Sequence, residues 1–307
     1  MLRYSKDQLG ESQITPGGAE YNVACSLAKL GVSVKWISAL PHDKSAEAIT
    51  TPAIESGAQI SIINSNHPVG EYRIIRGKNN VSYNRANSAF ANLKPDEINW
   101  RQEINGARWL VISGITPLLG DGPKSNWATA MTFSELDGTL VALDLNHRPP
   151  LGTFEELWSE VEPRIRQIHL LILSPSNLTT LTGEDNLEML VQLRNRLNLP
   201  FLACTWKEDV NGVQKRWSAV AHSKGVDSTK EMAVNHTPLE PLGGGDAWLA
   251  GFVDGLLEGL DPINCCRRGD TLAALTQQTF GDLGNVTREE LSRWELIEGE
   301  YDLLQDG

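Results

Sequence analysis

The chain has 307 residues, 40% of them hydrophobic and 21% charged, with 27 lysines and arginines against 39 aspartates and glutamates, for a formal net charge of -12. That balance argues against a nucleic-acid or anionic-membrane surface, and an anionic substrate would have to be met by locally placed cations. No apolar run approaches the roughly 20 residues of a membrane helix, the opening MLRYSKDQLGES lacks a signal-peptide core, and Cys25, Cys204, Cys265 and Cys266 form no CxxC pair, so the expectation is a cytoplasmic chain with packed, reduced thiols.

Helix and strand patterns then take turns. GAEYNVACSLAKLG has small and apolar residues at helical spacing and stops at Gly31; VSVKWISAL reads as a strand, AEAITTPAIESG as a helix and AQISIIN as a strand. Between about Pro68 and Leu93 the rhythm breaks. There GEYRIIRGKNNVSYNRANSAF alternates polar with apolar or aromatic residues around the turn signal GKNN, which predicts an inserted β layer.

The apolar strands ARWLVISGI, GTLVALDLN, IHLLILSPS and LPFLACTW follow, separated by helical segments. This pattern predicts an α/β chain with a mostly parallel sheet, one main domain plus a small appendage. Each strand ends in small or polar residues (SGITP, DLNHR, SPSN, TWKE), and in open α/β sheets ligands bind beyond those ends. The acidic tail GNVTREELSRWELIEGEYDLLQDG reads as a solvated, peripheral terminal helix.

The stretch PLGGGDAWLAGF carries the chemistry. Gly243, Gly244 and Gly245 leave the amide N–H groups of a helix start uncovered, a ready anion site. Asp246 falls in the first turn and is placed to accept a proton from a hydroxyl attacking a phosphate. No Lys-Ser/Thr follows, so this is not a P-loop.

In motif order the chain resembles the ribokinase-like (PfkB) sugar kinases, closest to the 2-keto-3-deoxygluconate kinases. GGAEYNVA matches their first signature and EPLGGGDAWLAGFV their second, while YNR, SGITP and DLNHR point to the sugar-acid subgroup. The resemblance implies a three-layer α/β/α sandwich over 1–307 with a small β-sheet lid, from segments near 5–16 and 68–92. It implies Asp246 as catalytic base, Gly243 to Gly245 as anion hole, and Gly17, Gly18 and Asn22 as sugar-hydroxyl contacts. Tyr83, Arg85, Ile115, Arg148 and Asp282 would line the substrate pocket, the two arginines holding a carboxylate, as the planar guanidinium does well. ATP and Mg2+ would be the cofactors, with Ser174, Thr205, Lys207, Gly243 and Gly245 on the nucleotide side. The metal ligands stay unassigned. Tyr72 and His147 read as structural.

The expected reaction is ATP-dependent phosphorylation of a primary hydroxyl on a sugar acid, 2-keto-3-deoxygluconate giving its 6-phosphate, by a homodimer joined through the lid. The alternatives are a kinase for another sugar, or a catalytically weak sugar-binding homologue. Three departures bear on these. Ser174 and Asn177 stand where the family has Asn-x-x-Glu, and Glu240 replaces an aspartate. The chain also opens at MLRYS inside the family's first apolar strand, which is therefore expected either to lie upstream or to be absent.

Overall fold

A computed structural model describes residues 1–6, 11–74, 81–295, 297 and 299–303. Strands β1 (Leu2–Lys6) and β2 (Ser12–Pro16) precede helix α1 (Ala19–Lys29), β3 (Lys35–Leu40), α2 (Lys44–Glu55) and β4 (Gln59–Asn64). Asp43 starts α2, its side chain accepting from the N–H groups of Ser45 and Ala46. The inserted layer supplies β5 (Glu71–Ile74) and β6 (Val81–Asn84). These pair antiparallel, as the alternation predicts, while the turn GKNN lies outside the described residues. Together they form a four-stranded sheet in the order β2-β1-β5-β6, with β1 and β5 parallel. Residues 86–92 leave that sheet, and Ala89 joins Leu93 in a core cluster.

The rest of the chain builds the main body: α3 (Trp100–Ile104), β7 (Trp109–Ser113), α4 (Asp121–Asp137), β8 (Leu140–Asp144), α5 (Phe154–Val161), β9 (Leu170–Leu173), α6 (Pro175–Thr182), α7 (Leu187–Leu197) and β10 (Phe201–Val210). Strands β7 to β10 are parallel neighbours. Their side chains alternate between two cores. Ala142, Leu170, Ile172 and Ala203 pack with helix α1 and the C-terminal helices, whereas Val141, Leu143, Leu171, Leu173 and Leu202 pack with α4 to α7. A sheet buried on both faces gives the near-continuous apolar runs seen in the sequence, and two such cores make three layers.

Beyond β10 the sheet changes character. A tight turn at Asn211 and Gly212, both with positive φ, reverses the chain into β11 (Val213–His222), antiparallel to β10. Strands β12 (Gly225–Ser228) and β13 (Val234–His236) add to β11. Helices α8 (Gly244–Glu258), α9 (Pro262–Gln277) and α10 (Arg288–Glu295) follow, and β14 (Tyr301–Leu303) pairs parallel to β13. The tail is thus not merely a solvated helix, because Tyr301–Leu303 contributes an edge strand with Tyr301 and Leu303 buried. Sheet pairing stops at β7, and β3 with β4 forms a separate two-stranded sheet.

Tyr301 is 7% exposed, stacks on Trp294 and shares a hydrogen bond with Thr271. Tyr301→Ala should therefore destabilise the fold by about 3 kcal/mol, the scale of a buried aromatic truncation. Urea unfolding measures it, and a loss below about 1 kcal/mol would mean that β14 contributes little to the core.

Candidate active site

Helix α8 starts bare. Gly243 occupies the cap position at φ +70° and no side chain caps the first turn, so its N–H groups are left for an outside acceptor. A Cβ on Gly243 would meet the Asp282 carbonyl oxygen at 2.1 Å, so glycine is required by both backbone conformation and close approach. Behind Gly244 lies the guanidinium of Arg216, buried and bonded to Gln277 Oε1 at 3.1 Å, a fixed positive charge beneath the anion site. Gly245 faces open space.

Asp246 follows in the first turn and accepts a hydrogen bond from Asn22 Nδ2 at 2.7 Å. Burial pushes its carboxyl up to about 8, with Asp144 and Asp282 adding to the rise and Asn22 and Arg148 opposing it. Asp144, at the end of β8, is likewise raised by burial to about 6, against the pull of Arg148.

The second wall joins the four-stranded sheet to the start of α1. Tyr72 Oη donates to Asp282 Oδ2 at 2.5 Å directly over Gly17, where a Cβ would lie 2.3 Å from that hydroxyl. Arg3, 1% exposed, pairs with Glu240 and reaches Asp282 at 3.6 Å, and Glu240 also accepts from Gly281 N at 2.8 Å. The substituted Glu240 therefore anchors β1 to the site. Tyr83 stacks on Tyr72 and lies over the Arg85 guanidinium at 4.1 Å. At the end of β7, Glu20 accepts from Ser113 N and Oγ at 3.0 and 2.6 Å, holding the SGITP turn against α1.

These elements enclose one continuous cleft of about 840 Å³. Of the sequence-derived candidates, Gly17, Gly18, Asn22, Tyr83, Arg85, Ile115, Arg148, Gly243, Asp246 and Asp282 line it. Gly244 and Gly245 sit at the adjoining helix start, while Ser174, Thr205 and Lys207 lie off the lining. Lys207 nevertheless shares the positive field of Arg216 and Arg148, which with burial lowers its pKa. Ser174 and Asn177 form a reciprocal capping box on α6, each side chain accepting from the other's N–H. Among the described residues no group of three or more His, Cys, Asp or Glu could hold a metal ion. His147 bonds the Gly152 carbonyl and packs on Phe154, a structural placement. Tyr72, in contrast, lines the cleft, and Arg3, Asp144 and Arg216 support it without having been singled out in the sequence.

Comparison with known proteins places this geometry. Residues 3–287 match the family model described as pfkB family carbohydrate kinase. A 2-dehydro-3-deoxygluconokinase from Bacillus subtilis is 28% identical over 291 residues, 90% of this chain and 85% of that protein. A 2-dehydro-3-deoxygalactonokinase from Haloferax volcanii is 26% identical over 283 residues, 90% and 86% of the two chains. The crystal structure of 2-dehydro-3-deoxygluconokinase from Thermotoga maritima superposes with a TM-score of 0.90 at 24% identity, covering 96% of this chain and 95% of that one. The expected ribokinase-like α/β/α fold is the fold observed. No helix among the described residues is long and apolar enough to cross a membrane.

The raised carboxyl of Asp246 has a signature in stability. Its folded pKa of about 8 exceeds the ordinary 3.8, so the folded state holds this proton more tightly than the unfolded chain does. Stability from this group is full below about pH 4 and is lost as pH rises through 8. Asp246→Asn should thus unfold at a higher temperature than the parent at pH 8–9, the gap closing toward pH 4. Thermal scans across that range measure it; equal melting temperatures throughout would mean that the carboxyl is not desolvated.

Proposed function

We propose that this chain, which belongs to the pfkB family of carbohydrate kinases and spans the family model over residues 3–287, phosphorylates a sugar acid of the 2-keto-3-deoxy-hexonate class. The observation that carries the reading is the pairing of a buried, proton-hungry Asp246 at an uncapped helix start with two arginines on the same cleft. Arg85 and Arg148 take part in no ion pair among the described residues, so the cleft has cations free for a carboxylate despite a net charge of -12. Both relatives named above act, by their names, on such acids.

In this reading the substrate carboxylate rests on Arg148 and Arg85, and Asn22 and the Gly17–Gly18 backbone hold its hydroxyls. Asp246 takes the proton of the reacting primary hydroxyl; a pKa raised toward 8 makes it a stronger base than an exposed aspartate. The N–H groups at Gly244 and Gly245, backed by Arg216, stabilise negative charge on the transferred phosphoryl group. ATP would supply that group, and magnesium, when bound, would add positive charge against its phosphates. We assign Asp144 as the carboxylate serving it, since the amide of Asn177 is engaged in capping α6. Lys207, Thr205 and Ser174 would meet the nucleotide. The four-stranded sheet acts as the lid, and its edge strand β2, with Ile14 57% exposed, is where a second copy would join.

Arg148→Ala separates this reading from that of a neutral-sugar kinase. The KM for 2-keto-3-deoxygluconate should rise about tenfold or more, the scale of one lost charge-assisted bond, while kinetics with a neutral sugar change little. ADP release over both substrate classes measures it, and equal losses for the two would make Arg148 structural.

A further inference from the structure

Three buried polar residues meet behind the uncapped start of α8. Arg216 comes from β11, His236 from the end of β13 and Gln277 from the end of α9. Arg216 Nη2 donates to Gln277 Oε1 at 3.1 Å, and His236 Nε2 lies 2.9 Å from the same oxygen. A guanidinium only donates, so it fixes which end of the Gln277 amide faces it. That oxygen in turn requires His236 to carry its proton on Nε2, while Nδ1 is buried without a partner among the described residues. Burial, helped by Arg216, pulls the imidazole down to about 4 against the bond to Gln277, so at neutral pH it is an uncharged donor.

Turned this way, Gln277 brings Nε2 to the first turn of α8. A Cβ on Gly244 would lie 2.8 Å from that nitrogen and 2.7 Å from Arg216 Nη2, so the glycine leaves room for both. The main chain of Gln277 supports the same place. Its carbonyl accepts from Leu239 N at 2.8 Å and from Glu240 N at 3.4 Å, in the segment that leads into Gly243.

Arg216 forms no ion pair among the described residues. Asp270 on α9 favours its charged form, yet Asp270 Oδ2 accepts from Ser218 Oγ at 2.9 Å and Thr229 Oγ1 at 2.6 Å, and Oδ1 bonds nothing among the described residues. A neutral amide therefore holds the guanidinium. A carboxylate in its place would cancel much of the charge, whereas an amide oxygen fixes Arg216 and leaves its field to act on the helix start through a poorly polarisable interior.

We propose that Gln277 is a positioning residue for phosphoryl transfer: locked by His236, it holds Arg216 beneath Gly244 without neutralising it, so that the guanidinium charge reaches the phosphoryl group at the start of α8. This role rests on the phosphoryl site proposed above. It gives one cause to three features, the neutral partner of a buried arginine, the imidazole kept as a donor and the glycine at 244.

Gln277→Glu tests it, because the change keeps the side chain's size and an oxygen for both donors but adds the cancelling charge. With 2-keto-3-deoxygluconate, or whichever sugar the parent phosphorylates, kcat should fall at least about tenfold while KM for that acceptor stays within about threefold. The melting temperature should stay within about 5 °C of the parent's or rise. A kcat within about twofold of the parent's overturns the role, and so does a loss of kcat matched by a comparable rise in KM. Should the variant melt further below the parent or fail to fold, Gln277→Leu and Arg216→Met are compared singly and together. Losses of kcat that do not add show Gln277 acting through Arg216; additive losses, or none, overturn the role. Asp246→Asn, run alongside, keeps the two readings apart. Near-parental turnover in it removes the phosphoryl site and this role together, whereas an inactive Asp246→Asn beside an unaffected Gln277→Glu overturns the positioning role alone.

Discussion

The withdrawal of one carboxyl group from water organises this molecule. Ionised, Asp246 is penalised by burial and by the neighbouring Asp144 and Asp282; it is helped by Asn22 and Arg148. Each of those four residues comes from a different element, so the protonation behaviour of one side chain depends on α1, the end of β8, the turn after β8 and the segment after α9 being correctly assembled. The bare start of α8 completes the arrangement, because the same helix end that tolerates a carboxylate also offers N–H groups to an anion.

The small sheet is tied to that centre by charge rather than by apolar packing alone. Arg3 on β1 pairs with Glu240 and Asp282, and Tyr72 on β5 donates to Asp282. Asp282 thus faces Asp246 on one side and the sheet on the other. Any movement of the sheet changes the hydrogen bonding of Asp282, whose negative charge helps hold the Asp246 carboxyl up. Tyr83 and Arg85, proposed above as substrate contacts, lie on the same sheet and just beyond it, so in that reading ligand contact and tuning of the base would be mechanically linked.

Much of this was legible in the residues. The helix–strand rhythm showed because strands buried on both faces must be continuously apolar, and Gly243 to Asp246 showed because only a bare helix start needs such a run. Arg3, Asp144 and Arg216 were not singled out and Tyr72 was read as structural, since their importance comes from partners distant in sequence: Arg3 meets Glu240 across 237 positions and Tyr72 meets Asp282 across 210. The hairpin of β10 and β11 was missed although Asn211-Gly212 is a recognised turn signal; the charged run around it masked the alternation. The acidic tail hid Tyr301 and Leu303 in the same way, two buried residues spaced for one face of a strand. The β3–β4 pair stands apart from the larger sheet, which ends at β7, a break that the even helix–strand rhythm does not show.

The pH dependence of kcat/KM for 2-keto-3-deoxygluconate, in the parent and in Asp246→Asn, tests the central role of this carboxyl most directly. If Asp246 is the base, the parent's kcat/KM rises about tenfold per pH unit and levels off near pH 8, where the ionised form takes over. The Asn variant should be at least about a hundredfold slower and lack that limb. A flat profile from pH 5 to 8 in the parent, or a variant within tenfold of it, would contradict the account.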